Sequence, residues 1–232
     1  MSKLITALTV FGGAMGYLES AVVVYLRALY YPEGFTFPLR PLSTDMYLIE
    51  CLREMATLVM LGAVGVTAGR SLAERFSCFL FSFGVWDISY YLWLKVLLDW
   101  PSSLLSWDIL FLIPVVWVGP VIAPLICSLG MIMLAVVVLN AVYRSSSFRL
   151  GAGDWALLSA GSLLIVTAFV GDFAGIVLSA GRASGFESLQ SAAAAYVPER
   201  FNWGLFASGE ALVLVVPVRL LRMMRRSPGN DQ

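Results

Sequence analysis

The sequence predicts an all-α protein, a polytopic integral membrane helical bundle with about six transmembrane helices and an interfacial or re-entrant segment on its outer side. Three observations predict it. Of 232 residues, 59% are hydrophobic and 13% charged, with a mean hydropathy of +0.85. A water-soluble domain of this length cannot hide so much apolar surface, because burial is limited by surface-to-volume scaling. Apolar runs recur along the chain, each close to the twenty or so residues that cross a bilayer core at 1.5 Å per residue. Between them lie segments rich in turn-forming and charged residues: YYPEGFTFPLRPLSTD, AGRSLAER, DWPSSLLSWD, YRSSSFRLGAG and GRASGFESLQSAAAAYVPER.

The first run, 4–26, exceeds a signal-peptide core, contains Glu19 and lacks a small-residue cleavage site, so it reads as a retained membrane helix. Runs at 46–68 and 76–98 follow. Residues 105–120, LSWDILFLIPVVWVGP, are too apolar for an aqueous loop and too interrupted by Pro114 and Pro120 for a full span. They read as the interfacial or re-entrant piece, with Trp100, Trp107 and Trp117 suited to the headgroup layer. Spans at 121–142, 155–179 and 203–223 complete the set. Before the last, Ser184 and Glu187 form a capping-box pattern that opens an outer amphipathic helix over 185–196, ahead of Pro198. No internal repeat is visible, and 1–232 reads as a single transmembrane domain.

Cations orient the bundle. Lys3, Arg70, Arg75, Arg144, Arg149, Arg219, Arg222, Arg225 and Arg226 fall on the side of the termini, against Arg27, Arg40, Lys95, Arg182 and Arg200 opposite. The positive-inside rule then makes both termini cytoplasmic, in a membrane of the bacterial inner (plasma) type. The basic RLLRMMRR turn is a juxtamembrane anchor.

Composition excludes several chemistries. Lys plus Arg equals Asp plus Glu, 15 each, which gives no basic bias toward nucleic acid. The chain has no histidine, so His-ligated haem, the usual catalytic zinc sites and Ser-His or Cys-His nucleophile pairs are excluded within it. Cys51, Cys78 and Cys127 sit in apolar runs without CxxC spacing, as buried small side chains do. No cofactor is implied; whether a quinone, pigment or lipid is bound stays open. The bilayer is the one certain partner, with a homodimer or a larger membrane complex as further expectations.

Candidate site residues come from charges inside the spans, where an unpaired charge is expensive. On a helical wheel Glu19 shares a face with Gly12 and Gly16, and small residues mark close helix approach, so Glu19 should point into the protein. Glu54 shares a face with Gly65, with Glu50 and Arg53 within a turn; Asp172 shares one with Gly161 and Ala168. Asp87 and Glu210 bring the carboxylates to six, on five helices. Arg53 is the one cation deep in a span, with Arg27 and Lys95 nearer the outer ends. Asp87, Tyr91 and Lys95 follow i, i+4, i+8 as a polar stripe. The expected site is therefore Glu19, Glu50, Arg53, Glu54, Asp87, Tyr91, Lys95, Asp172 and Glu210, with the carboxylates as cation or proton acceptors. The plainer alternative is that each acid is neutralised locally and only fixes helix register.

Three function classes are compatible. The first is transport of cations, protons or a small solute through an acid-lined cavity, with Pro114, Pro120 and Pro124 marking broken segments. A second is a non-catalytic membrane subunit that docks through 105–120. The third is an enzyme, toward which the sequence leans least: Asp87 in FGVWDISYY and Asp172 in FVGDFAG resemble the aspartate pair of intramembrane aspartyl proteases, which implies one protonated and one ionised acid around a water. The chain departs from that pattern at Phe169, where the first glycine of GxGD would stand, and lacks a PAL-type motif.

Overall fold

Four of the described helices start where a nearby side chain accepts an unpaired backbone N–H. In the computed structural model, which describes residues 1–40, 42–145, 147–180 and 195–226, the helices are α1 (Ser2–Tyr30), α2 (Thr44–Ala68), α3 (Leu72–Leu98), α4 (Ile122–Arg144), α5 (Ala152–Ala180) and α6 (Trp203–Arg226). Ser43 accepts the Met46 N–H at the start of α2. At the start of α3, Ser71 accepts the Glu74 N–H while the Glu74 carboxylate accepts the Arg70 N–H, a reciprocal cap. Asp154 takes the Gly151 N–H before α5, and Asn202 takes the Leu205 N–H at α6. Only 69–71 separate α2 from α3, so the two run antiparallel.

Among the described residues, five helices, all but α3, are long and apolar enough to cross a membrane. The exception follows from position. At 27 residues, about 40 Å of helix, α3 has the length, but it is the central helix, packed on α1, α2 and α4. Neighbours shield its Ser, Tyr, Trp and Asp residues from the surroundings, so a continuous apolar exterior is not required of it.

Glycines set the closest crossings. A Cβ on Gly16 would lie 2.8 Å from Ser89 Cβ and 2.9 Å from the Trp86 carbonyl oxygen, so α1 meets the backbone of α3 there. Gly84 brings α3 within 2.7 Å, on the same measure, of the Ser128 carbonyl on α4. Gly161 and Gly209 each face the other's carbonyl, which closes α5 on α6. The apolar core concentrates at the end that carries the termini, where Leu80, Phe81, Leu134, Leu139, Leu158 and Val216 pack together.

Between α3 and α4 the chain forms an antiparallel hairpin, β1 (Trp107–Phe111) and β2 (Trp117–Pro120), with Asp108 opposite Gly119 and Ile109 opposite Val118. Where the sequence led us to expect an interfacial or re-entrant segment at 105–120, the structure has this ribbon. Proline at 114 and 120 and valine at 115, 116, 118 and 121 disfavour helix and suit strands. Its faces are covered: Val116 and Val118 pack with Phe173 and Tyr196, and Trp117 stacks on Phe169. The outer helix expected over 185–196 falls almost wholly outside the described residues.

Candidate functional site

The charged groups at the hairpin end of the bundle assemble in two networks. In the first, Arg53 on α2 bonds Glu50 one turn away at 2.8 Å and also the Glu19 carboxylate of α1, which takes the Thr57 hydroxyl as well. Glu19 is buried, 8% exposed. The glycine face of α1 that carries Gly16 meets α3, and Glu19, a turn on, reaches α2.

The second network ties the hairpin to the helices. Asp108 on β1, 3% exposed, pairs with Arg27 of α1 at 3.4 Å and accepts the Tyr91 hydroxyl of α3 at 3.1 Å. The Arg27 guanidinium lies 3.8 Å above the Trp100 ring and 4.7 Å from that of Phe35, so aromatic faces supply the rest of its environment. Burial pushes the Asp108 carboxyl up to about 6, against the opposing pull of Arg27 and the Tyr91 hydrogen bond. On the other strand's approach, the Leu112 N–H donates to Glu54 at 2.8 Å, and the Tyr47 hydroxyl reaches the Leu112 carbonyl at 3.5 Å.

Two further carboxylates stand deeper. Asp87 accepts the Ser128 hydroxyl at 2.7 Å. Glu210 on α6 sits against the Cys127 thiol of α4, which feels the charge of Asp87 as well. Among the described residues, Glu54, Asp87 and Glu210 form no ion pair. Nearby, Trp86 is buried with its indole N–H unpartnered among the described residues.

Both networks and the deeper acids open on one cavity of about 680 Å3, walled by all six helices and capped by the hairpin. Its lining includes Glu19, Glu50, Arg53, Glu54, Asp87, Tyr91 and Glu210 of the expected site, together with Arg27 and Asp108. Lys95 and Asp172 are not among the lining residues. Lys95 is exposed and pairs with Asp99 at 2.6 Å, which holds the Asp99 carboxyl below its usual range. Asp172 is exposed. At the hairpin end of α5 the packed face is that of Phe169 and Phe173, whose rings meet Trp117, Phe201 and Tyr196, and Asp172 stands beside it. Asp87 and Asp172 therefore do not share a cavity.

Sequence reasoning passed over Asp108, the most buried of these acids. The signal was present: a lone aspartate in the apolar segment WDILF obeys the same cost argument that picked out Glu19. Thr57, Cys127 and Ser128 carried no such signal, since hydroxyls and thiols are unremarkable in a membrane helix.

The carboxylates supply oxygen acceptors that can hold a cation or a proton. Carboxylates face each other across a void, and among the described residues no group of His, Cys, Asp and Glu is placed to hold a metal ion. Comparison with protein-family models, with curated proteins and with solved structures finds no match to this chain.

Proposed function

We propose that this is a transport protein that takes a cationic solute, or protons, into the acid-lined cavity of a bundle crossing the membrane six times, α3 included. The observation that carries the reading is that Glu54, Asp87 and Glu210, from three helices, reach one 680 Å3 cavity with no ion-pair partner among the described residues. Acids in a low-dielectric setting bind a cation or hold a proton, because an isolated charge there is strongly disfavoured. The side with the cationic tail is cytoplasmic, in a bacterial inner membrane, so the hairpin caps the outer mouth. A homodimer is the expected assembly for so small a carrier.

The test is cation-driven flux in proteoliposomes. Asp87→Asn and Glu54→Gln should each lower flux at least tenfold while the melting temperature falls by no more than about 4 °C; unchanged flux in both overturns the reading. A second reading, a membrane subunit of a larger complex, draws on the local neutralisation of Glu19 and Glu50 by Arg53 and of Asp108 by Arg27. Co-purification of stoichiometric partners after mild extraction would favour it.

A further inference from the structure

The cavity wall changes character at one level on three separate helices. Along α3, Phe76, Leu80 and Phe83 give way to Asp87; along α4, Leu134 and Met131 give way to Ser128 and Cys127; along α6, Val213 gives way to Glu210. From Phe76 to Asp87 is about 16 Å of helix. In the half nearer the termini Ser162 is the exception, a hydroxyl on α5 that is also exposed at the surface of the bundle. The acids are confined to the other half.

A small hydrated cation has no use for a deep apolar chamber beneath its ligands. Ligand sites are mostly apolar with a few convergent polar groups that fix orientation, and this cavity lies within their usual volume range. The walls contributed by α2 and α5 flank the cavity, with α2 packed on α3 and α5 on α6.

Taking the cationic-solute reading above as its premise, we propose that the cavity binds an amphiphile, with an ammonium head between Asp87 and Glu210 and a hydrocarbon tail running toward the termini along Leu80, Phe83 and Met131. The tail replaces lipid-like contacts it would otherwise keep in the bilayer, and the head finds two acids where the bilayer offers none. Arg53 and Arg27, paired to their own carboxylates farther out, leave the head's neighbourhood negative.

Equilibrium binding to the purified full chain in maltoside, with probes below their micellar concentrations, tests this. Dodecyltrimethylammonium should bind at least tenfold tighter than tetramethylammonium and tenfold tighter than dodecanoate. Asp87→Asn and Glu210→Gln should each weaken it about tenfold. Met131→Trp, which narrows the apolar half, should weaken the dodecyl compound tenfold and leave butyltrimethylammonium unchanged, with melting temperatures confirming that every variant folds. Displacement of the bound probe by monoacyl phosphatidylethanolamine supports the proposal with a membrane lipid as source, and displacement by dodecylamine alone supports it with a free amine. Equal binding of tetramethylammonium, or of dodecanoate, overturns the amphiphile while leaving cation transport standing; binding of no cation at all overturns both.

Discussion

The seam between α1 and α3 and the glycine-bearing open faces of α2 and α5 are made from similar sequence, and they behave differently. Both use apolar helices punctuated by glycine. At the seam, Gly12 and Gly16 sit against Val85, Trp86 and Ser89, while the Ser20 hydroxyl bonds the Tyr90 carbonyl at 2.9 Å and the Trp93 indole bonds the Gly13 carbonyl at 3.2 Å. Helices approach backbone to backbone and no space is left. On α2 and α5, by contrast, Gly62, Gly171 and Gly175 meet nothing within 4 Å. Glycine permits close approach but does not cause it; reciprocal polar bonds and complementary side chains on the facing helix do. Where these are missing, the glycine stays open and no described helix closes on it.

The largest effect expected from breaking this contrast is on α2, where it is paired to α1. Arg53→Met leaves Glu19 and Glu50 buried with no cation, and removing one side of a buried pair costs about 3–5 kcal/mol. Chemical or thermal unfolding in detergent should show it, and a loss below about 1 kcal/mol would mean that water already reaches both acids.

Acidification gives an effect of similar order. The Asp108 carboxyl rises from 3.8 to about 6 on folding, so the folded state favours its neutral form. Its contribution to stability is fully present below about pH 4 and is lost as pH rises through about 6, a swing of about 3 kcal/mol. Asp108→Asn should remove that portion of the pH dependence of the melting temperature; an unaltered profile would assign the slope to other acids.

At the seam, Gly16→Leu forces α1 off the α3 backbone, and overpacking of this kind costs about 1–3 kcal/mol or more. Gly62→Leu, matched in chemistry, should change stability by less than about 0.5 kcal/mol. Equal losses at the two positions would erase the distinction drawn between the regions. A smaller change is expected for Glu54→Gln, which keeps an acceptor for the Leu112 N–H but removes its charge, at about 1 kcal/mol. Faster hydrogen exchange at the Leu112 amide is its local readout. Smallest, and opposite in sign, is Gly62→Ala, which should stabilise α2 by about 0.5 kcal/mol, through helix propensity alone.

Much of this architecture is legible in the sequence, because apolar length and breaker placement follow directly from the chemistry of a membrane interior. The polar stripe was only half readable. Wheel geometry put Asp172 with Gly161 and Ala168, yet at the end of α5 aromatic contacts to Trp117 and Tyr196 decide which face is packed, and those partners lie far away in the chain. Lys95 failed for a related reason: Asp99, four residues on, satisfies it before it reaches inward. The hairpin escaped because a short apolar stretch with prolines has the same composition whether it lies flat, re-enters or pairs with itself.

Pro217 lies inside α6. A proline has no N–H to give the carbonyl four residues back, and here that carbonyl belongs to Val213, which lines the cavity floor. One rung of the helical ladder is therefore missing between the turn that carries Glu210 and the turn where Arg219 is held by Asp154. A rod with a rung removed bends there first, so any change in the direction of α6 falls between its mooring to α5 at Gly209 and its mooring at Arg219.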